Sequence, residues 1–362
     1  MYQVLSVAYP LLTVSEESAG GAEQMLWTLE REIAAQGFLS TVAASAGSRV
    51  SGQLFSTGDP CVQTDDFERR NHEHQERIIE FIRVRAQKGR PFDLVHDQSG
   101  SFWPRAAEID VPVLATLHLP RHFYPTRYFH YVPANVSFNC VSQSQAGEFS
   151  DLKPGPAIIP NGISLEQFHA TAGQRAGLLW LGRICEEKGA HLALEIAART
   201  GLNMTLAGQV YPFSYHQQYF QREIVPRLDQ TPNVKFISCP DAKLKRQLLR
   251  QAQAVLITSL VNETSSLVAM EAAASGTPVI AFRNGALPEI VQDGTTGFVV
   301  DGVDGAVEAL EKVEQIKPEV CIDYANEHFS SKVMAQGYAR LYGRLLQHNH
   351  FPSSQYPQPL SF

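Results

Sequence analysis

Residues 256–289 read LITSLVNETSSLVAMEAAASGTPVIAFRNGALPE. The apolar run Ala254–Ile257 leading into this stretch predicts a buried parallel strand. Val261–Thr264 predicts a polar turn, and Leu267–Ala274, with apolar and small residues at helical spacing, predicts a helix. Thr264 and Ser265 are both candidate N-caps. Either would aim the backbone N–H groups of Ser265, Ser266 and Leu267 at the carboxyl edge of a sheet, where a phosphate sits well. Glu263 stands before the helix and Glu271 inside it, about 10 Å further along the axis by helical rise. A sugar nucleotide matches that spacing, because sugar hydroxyls on one side of a diphosphate and ribose hydroxyls on the other can each donate to a carboxylate. Gly276 and Pro278 stop the helix, before a strand at Val279–Phe282 and a loop at Asn284–Pro288.

A chain of 362 residues exceeds what one hydrophobic core usually covers, so two domains are expected. The net charge of -7 and the pI near 6.0 argue against general nucleic-acid binding, which needs a basic footprint. No apolar run approaches the roughly eighteen residues that span a bilayer, and the start MYQVLSVAYP lacks a charged leader region, so a cytoplasmic protein is expected. Cys61, Cys140, Cys185, Cys239 and Cys321 are scattered and never form C-x-x-C, which indicates small core residues rather than a disulfide framework or a zinc site.

Working outward from the N-terminus, Gln3–Ala8 is a near-continuous apolar run that fits a central parallel strand. A loop, Tyr9–Gly21, leads to a helix over Ala22–Gln36 with Met25, Leu26, Leu29 and Ile33 on one face. Gly20 and Gly21 at its start let backbone approach a ligand closely. Thr41–Ala44 is a strand and Asp66–Gln87 a surface helix with a partial stripe of Ile78, Ile79, Ile82 and Val84. The strands Asp93–His96 and Val113–Leu117 deliver His96, Asp97, Gln98 and His118 to their carboxyl ends, where open α/β sheets bind ligands. A lone histidine is more often structural, and His96 is read that way. Arg121–Tyr131, RHFYPTRYFHY, alternates aromatic and basic residues and suits an acceptor, a membrane surface or an ordinary amphipathic loop.

Val136–Val141 is a strand leading through Ser142–Ser144 into a helix, and Ala170–Arg175 has the composition of a linker. The strand Gly177–Leu181 is followed by Gly182-Arg183-Ile184-Cys185-Glu186-Glu187-Lys188-Gly189 and a helix, Ala190–Arg199. Two cations on such a loop make a diphosphate clamp, with Arg183 gripping bidentately and Lys188 acting as a point charge. Strands at Met204–Ala207, Val234–Ile237 and Gly297–Val300, with helices at Tyr211–Leu228, Lys243–Gln253 and Val303–Ile316, repeat the same unit. The fold class is therefore α/β, with two doubly wound domains facing across a cleft.

The glutamates flanking seven residues, the following AAASGTPVIA and GALPEIV, and the G-R, four residues, K-G loop resemble the retaining glycosyltransferases of family 4. That resemblance implies the GT-B fold. It implies residues 1–169 as an N-terminal acceptor-binding Rossmann-like domain and residues 170–328 as a C-terminal sugar-nucleotide-binding one. Residues 329–349 would be a C-terminal helix crossing back to brace the N-terminal domain, and 350–362 a flexible tail. The G-G-A-E segment resembles a family loop near the donor phosphates or sugar, and Thr116–His118 the strand that presents a histidine beside the donor sugar. IIPNGISLEQF, Ile158–Phe168, resembles the domain crossover. Many family members have Phe-Gly where this chain has Ser265-Ser266, which leaves the choice of donor open.

The resemblance implies transfer of a sugar from a nucleotide-diphosphate donor, a UDP-sugar first, to an acceptor hydroxyl with retention. Glu263, Arg183, Lys188 and His118 are the expected catalytic residues. Gly20, Gly21, Gly182, Ser265, Ser266, Leu267 and Glu271 are the expected donor-binding residues. Asp65 and Asp66 are adjacent rather than spaced as D-x-D, so no metal or other cofactor is expected. The expected partners are the nucleotide-sugar and a small-molecule or saccharide acceptor, with a lipid-linked acceptor and a homodimer left open. A GT-B sugar-nucleotide epimerase and a non-catalytic sugar-nucleotide-binding protein are the rival readings.

Overall fold

The computed structural model describes residues 1–18, 20–61, 66–168 and 175–348. The expected linker, save Arg175, and the expected tail, with Asp65, lie outside them. The first sheet contains β1 (Gln3–Val7), β2 (Leu39–Ala44), β3 (Gln53–Ser56), β4 (Leu94–Asp97), β5 (Val113–Leu117), β6 (Val136–Cys140) and β7 (Ala157–Ile158), in the order β3-β2-β1-β4-β5-β6-β7. The second contains β8 (Leu178–Arg183), β9 (Met204–Gln209), β10 (Val234–Ser238), β11 (Ala254–Ile257), β12 (Val279–Phe282) and β13 (Gly297–Val300), in the order β10-β9-β8-β11-β12-β13. Every strand pair in both sheets is parallel. In each sheet the order reverses beside the first strand, between β1 and β4 and between β8 and β11, which is where doubly wound sheets open a crevice.

Both faces of each sheet are covered, so the strands are apolar without alternation. Over the first sheet lie α1 (Gly21–Ala35), α2 (Phe67–Gln87) and α3 (Gln143–Glu148). The second carries α4 (Ala190–Thr200), α5 (Ser214–Tyr219), α6 (Val225–Gln230), α7 (Ala242–Gln251), α8 (Leu267–Ala274), α9 (Leu287–Ile290), α10 (Val303–Leu310) and α11 (Pro318–His328). The last helix, α12 (Ser331–His348), leaves the second domain and packs on α1 and the first sheet through Met334, Tyr338, Leu341 and Tyr342. A parallel bridge between Ile163 and Ser330 ties the two crossing segments together. Among the described residues no helix is long and apolar enough to cross a membrane.

Several elements differ from the sequence expectations. The helix α2 is not a plain surface helix, because Ile78, Ile79 and Ile82 are buried in the core of the first sheet. With His74 and Gln75, which are also buried, they form the face that docks the helix. The single helix expected over Tyr211–Leu228 is α5, a π-turn at Phe220–Ile224 and α6. Pro226 near the start of α6 has no N–H to offer, so the ladder widens there. The helix expected over Val303–Ile316 ends at Leu310, with a 3-10 turn at Val313–Gln315. The strands β3 and β7 and the helix α11 were not foreseen, and α12 begins at Ser331 rather than Phe329 because Phe329 caps α11.

A buried polar chain lies between α12 and the first sheet. His96 meets the Tyr342 hydroxyl at 2.6 Å through Nδ1 and the Thr116 hydroxyl at 2.7 Å through Nε2. Thr116 Oγ1 donates to Asn139 Oδ1 at 2.7 Å, and Asn139 Nδ2 donates to the Tyr338 hydroxyl at 3.0 Å. His74 is likewise buried, between the Thr57 hydroxyl and the Ala8 carbonyl. Burial depresses His96 from 6.5 to about 3 and His74 to about 4. The unfolded chain takes up protons at these two positions near pH 6.5 while the folded chain does not. Their contribution to stability is therefore full above pH 7 and lost as pH falls. Each histidine should cost about 1 kcal/mol between pH 6.5 and pH 5.5. Urea midpoints measured at those two pH values should fall accordingly, and an unchanged midpoint would contradict the neutral, buried assignment.

Candidate donor-binding site

The loops at the carboxyl ends of β8 and β11 are locked together by backbone contact. Gly189, at φ +64°, starts α4 against the Thr258 carbonyl, where a Cβ would collide. Thr258 Oγ1 donates to the Gly189 carbonyl at 2.8 Å and accepts from Trp180 Nε1 at 3.1 Å. The loop after β12 joins in the same way. Gly285, at φ +59°, lies directly on the Glu263 backbone, and the Ala286 N–H donates to the Glu263 carbonyl at 2.7 Å. These contacts fix the main chain that carries Lys188 and Glu263, and Lys188 Nζ meets Glu263 Oε1 at 2.5 Å. Ser259 Oγ donates to the same carboxylate oxygen.

The N-cap of α8 is Ser266, whose Oγ accepts from the Ala269 N–H at 3.3 Å, and not Thr264 or Ser265. Ser266 has the extended backbone (φ -141°, ψ 100°) that a cap needs. Thr264 is drawn across the cleft, its hydroxyl donating to the His118 carbonyl at 2.8 Å. The Ser265 hydroxyl is buried without a partner. First-turn N–H groups at Leu267 and Val268 have no intrahelical acceptor, and both residues line the cleft. Glu271 is buried, with Oε1 held by Lys245 Nζ at 2.7 Å and Oε2 unpartnered. A buried carboxylate oxygen without a donor is costly, so this position is suited to a ligand hydroxyl.

A cleft of about 610 Å³ collects Gly20, Gly21, Gly182, Arg183, Lys188, Ser265, Ser266, Leu267 and Glu271. Glu263 adjoins it through Lys188, and His118 through Thr264. Arg183 stands with its guanidinium carbon 5.7 Å from the Tyr211 ring centroid. His118 Nε2 lies 2.6 Å from Gln98 Oε1, and burial lowers this histidine to about 4, so it is neutral at pH 7. Its neutral ring therefore donates Nε2–H to Gln98. Glu23, in the first turn of α1, has its carboxyl pushed up by burial.

Lys245, Tyr211 and Ser259 were not singled out by the sequence, whereas Gln98 was placed at its strand end without the contact to His118. Each sits on an element whose own periodicity is ordinary, and only the fold places it beside a site residue. Across the cleft mouth, Glu289 accepts from the N–H groups of Gln143 at 2.8 Å and Ser144 at 2.7 Å, at the start of α3. The aromatic-basic loop divides. Arg121 lies 3.8 Å from the centroid of Phe129 and pairs with Asp151, and Tyr124 is buried, whereas Phe123 and Tyr131 are 51% and 73% exposed. Four of the five cysteines are buried as expected; Cys239 is exposed and lines the cleft.

Residues 165–328, which carry this arrangement, match the family model described as glycosyl transferases group 1. The match takes in 164 of the 362 residues, so the likeness to glycosyl transferases group 1 is one of the second half of the chain. A D-inositol 3-phosphate glycosyltransferase of Streptomyces avermitilis is 30% identical over 205 residues, which are 51% of this chain and 42% of that protein. The enzyme of the same name from Corynebacterium kroppenstedtii is 47% identical over 75 residues, 21% of this chain and 16% of that protein. The match thus covers less than half the length of either relative. Among solved structures, sucrose-phosphate synthase from Thermosynechococcus elongatus superposes with a TM-score of 0.79 at 18% identity, covering 96% of this chain and 100% of that one. AviGT4, a glycosyltransferase involved in avilamycin A biosynthesis, gives 0.70 at 22% identity over 96% and 98%. Anabaena Alr3699/HepE, solved with UDP-glucose, gives 0.75 at 16% over 95% and 100%. These superpositions give the fold as GT-B.

Gly285→Ala should disrupt this cleft from its backbone. The left-handed backbone penalises a Cβ by about 1–2 kcal/mol, and the collision with Glu263 adds to it. A thermal midpoint lowered by several degrees is expected, since 1 kcal/mol shifts the midpoint by roughly 2–4 °C in a domain of this size. A wild-type midpoint would show that the two loops are not in contact.

Proposed function

We propose that this protein transfers a sugar from a nucleotide-diphosphate donor, a UDP-sugar first, to an acceptor hydroxyl with retention of configuration, as a family 4 hexosyltransferase. One observation carries the reading. Two cations, the open N–H groups of a helix start and two buried carboxylates converge on a single cleft with a spacing that suits a sugar nucleotide. Arg183, Lys188 and the N–H groups of Leu267 and Val268 take the diphosphate, Glu271 the ribose, and Glu263 the hydroxyls of the donor sugar. Gly20 and Gly21 supply close-approaching backbone from the opposite wall.

In the unliganded cleft Lys188 and Glu263 neutralise each other. Donor binding exchanges these partners: the diphosphate takes Lys188, and the released carboxylate accepts from sugar hydroxyls. As the glycosidic bond breaks, negative charge accumulates on the leaving diphosphate. Arg183, Lys188 and the helix start stabilise it most where it is largest, which lowers the barrier rather than merely tightening binding. Neutral His118, held by Gln98, presents its imidazole where the acceptor arrives from the first domain. These groups suffice to meet the charge of the diphosphate, so no divalent metal is required beneath it. Anabaena Alr3699/HepE, which shares the fold, was solved with UDP-glucose, and a UDP-sugar is accordingly the donor to try first.

The reading is tested by thermal shift with UDP-, GDP-, ADP- and dTDP-sugars, where a ligand at a hundredfold its dissociation constant stabilises by about 2.7 kcal/mol. A rise with a UDP-sugar is expected, and no rise with any of the four would reject a functioning donor site. Arg183→Ala or Lys188→Ala should lower turnover roughly 10²- to 10³-fold, as removal of a transition-state charge stabiliser does elsewhere. Near-normal rates in both would remove the clamp. Initial rates in magnesium-free buffer should equal those with added magnesium, and turnover that requires magnesium would refute the metal-independent step.

A further inference from the structure

One cluster of side chains beside the cleft has no part in this chemistry. Cys185 and Glu187 lie two residues apart on the loop between Arg183 and Lys188, and His216 projects from α5. A ligand atom from each, the Cys185 Sγ, a Glu187 carboxylate oxygen and a His216 ring nitrogen, lies within 4.8 Å of the other two. Cys185 and His216 are both 0% exposed. Neither ring nitrogen of His216 has a hydrogen-bond partner, and neither does Glu187 Oε2. A buried imidazole has one donor and one acceptor to satisfy, so leaving both unmet calls for an explanation. The residues around the ring supply none: Tyr215, Phe213 and Tyr211 flank it at centroid distances of 4.2, 5.3 and 5.9 Å.

We propose that Cys185, Glu187 and His216 form a binding site for a single divalent ion of the zinc class. Thiolate, imidazole and carboxylate are the ligand types that zinc prefers, and its bond lengths of about 2.0–2.3 Å place tetrahedral ligand atoms about 3.3–3.7 Å apart. Closing the observed cluster onto an ion therefore requires side-chain movement of only about an ångström. The fourth position is left to water. On binding, the Cys185 thiol gives up its proton to solvent and the sulfur lone pair forms the metal bond. The thiolate and the Glu187 carboxylate then balance the two charges of the ion, so neighbouring Arg183 faces a neutral centre and keeps its charge for an anionic ligand.

The ion ties α5 to the loop that carries Arg183 and Lys188, which makes it a positioning element and not a participant in bond breaking. Its ligands come from a loop and a helix with β9 between them, so no C-x-x-C spacing announces the site. The assignment rests on these three side chains and is independent of the proposed transfer reaction.

The test uses the full-length protein, purified without a histidine tag from zinc-supplemented culture and dialysed against metal-free buffer. Inductively coupled plasma mass spectrometry should find zinc at a one-to-one ratio with the chain. Cys185→Ser and His216→Ala should each lose it, while Cys239→Ser, at the exposed cysteine, should retain it. Replacing zinc by cobalt should give the wild-type protein a near-ultraviolet thiolate-to-cobalt band that Cys185→Ser lacks. Circular dichroism checks that the variants are folded, and if they are not, the wild-type zinc content and cobalt band decide alone. Zinc far below stoichiometric with no thiolate–cobalt band, or zinc retained equally by all variants, would overturn the assignment.

Discussion

Two backbone contacts that only glycine permits hold the donor side of this molecule together: Gly189 on the Thr258 carbonyl and Gly285 on the Glu263 backbone. They join three strand ends, β8, β11 and β12, at the place where the strand order of the second sheet reverses. A side chain at either glycine would separate loops whose spacing sets the distance between Lys188 and Glu263. The cleft is thus defined first by how closely main chain can approach main chain, and only then by which charges stand on it.

The electrostatics follow from that closeness. Glu263 and Glu271 are both buried, and an isolated carboxylate would not remain charged there without a partner. Each has one lysine, Lys188 and Lys245 respectively, bound to a single carboxylate oxygen. This is a half-filled arrangement. The second oxygen of Glu271 has no donor, and the Ser265 hydroxyl nearby is also unmet. Structural ion pairs that serve stability alone tend to be fully satisfied, because every unmet buried group subtracts from the gain. A ligand that brings hydroxyls to the carboxylates and negative charge to the lysines would satisfy both groups at once, without rebuilding the loops.

The donor half was largely legible in one dimension because its functional groups are local. Arg183 and Lys188 share one loop, Glu263 and Glu271 flank one helix start, and strand–loop–helix periodicity puts both segments at the same sheet edge. What could not be read depends on contacts between distant segments. Ser266 rather than Thr264 caps α8 because Thr264 is engaged by the His118 carbonyl of the other domain. Lys245 reaches Glu271 from α7, and Gln98 reaches His118 from the neighbouring strand end. The helix α2 looked solvated because charged residues outnumber its three buried isoleucines, yet those three, with His74 and Gln75, form the face that docks it. A proline's missing donor, at Pro226, was visible in the sequence, but its consequence, a π-turn instead of a break, depends on the neighbouring packing.

The first domain is built on different terms. Its strand ends carry His96 and His118, but His96 is committed to Tyr342 and Thr116 and braces α12 against the sheet. The crossing helix is thereby held by a buried polar chain as well as by Tyr338, Leu341 and Met334, and a polar chain is more selective for position than apolar contact alone. That position reaches the cleft in two steps, since Gln98 lies within hydrogen-bond range of both His96 and His118. The cleft histidine is therefore aligned by the same residues that fix the last helix. At the mouth, Glu289 of the second domain satisfies the N–H groups that open α3 of the first. This contact joins the two halves at main-chain donors and one carboxylate, without engaging either core.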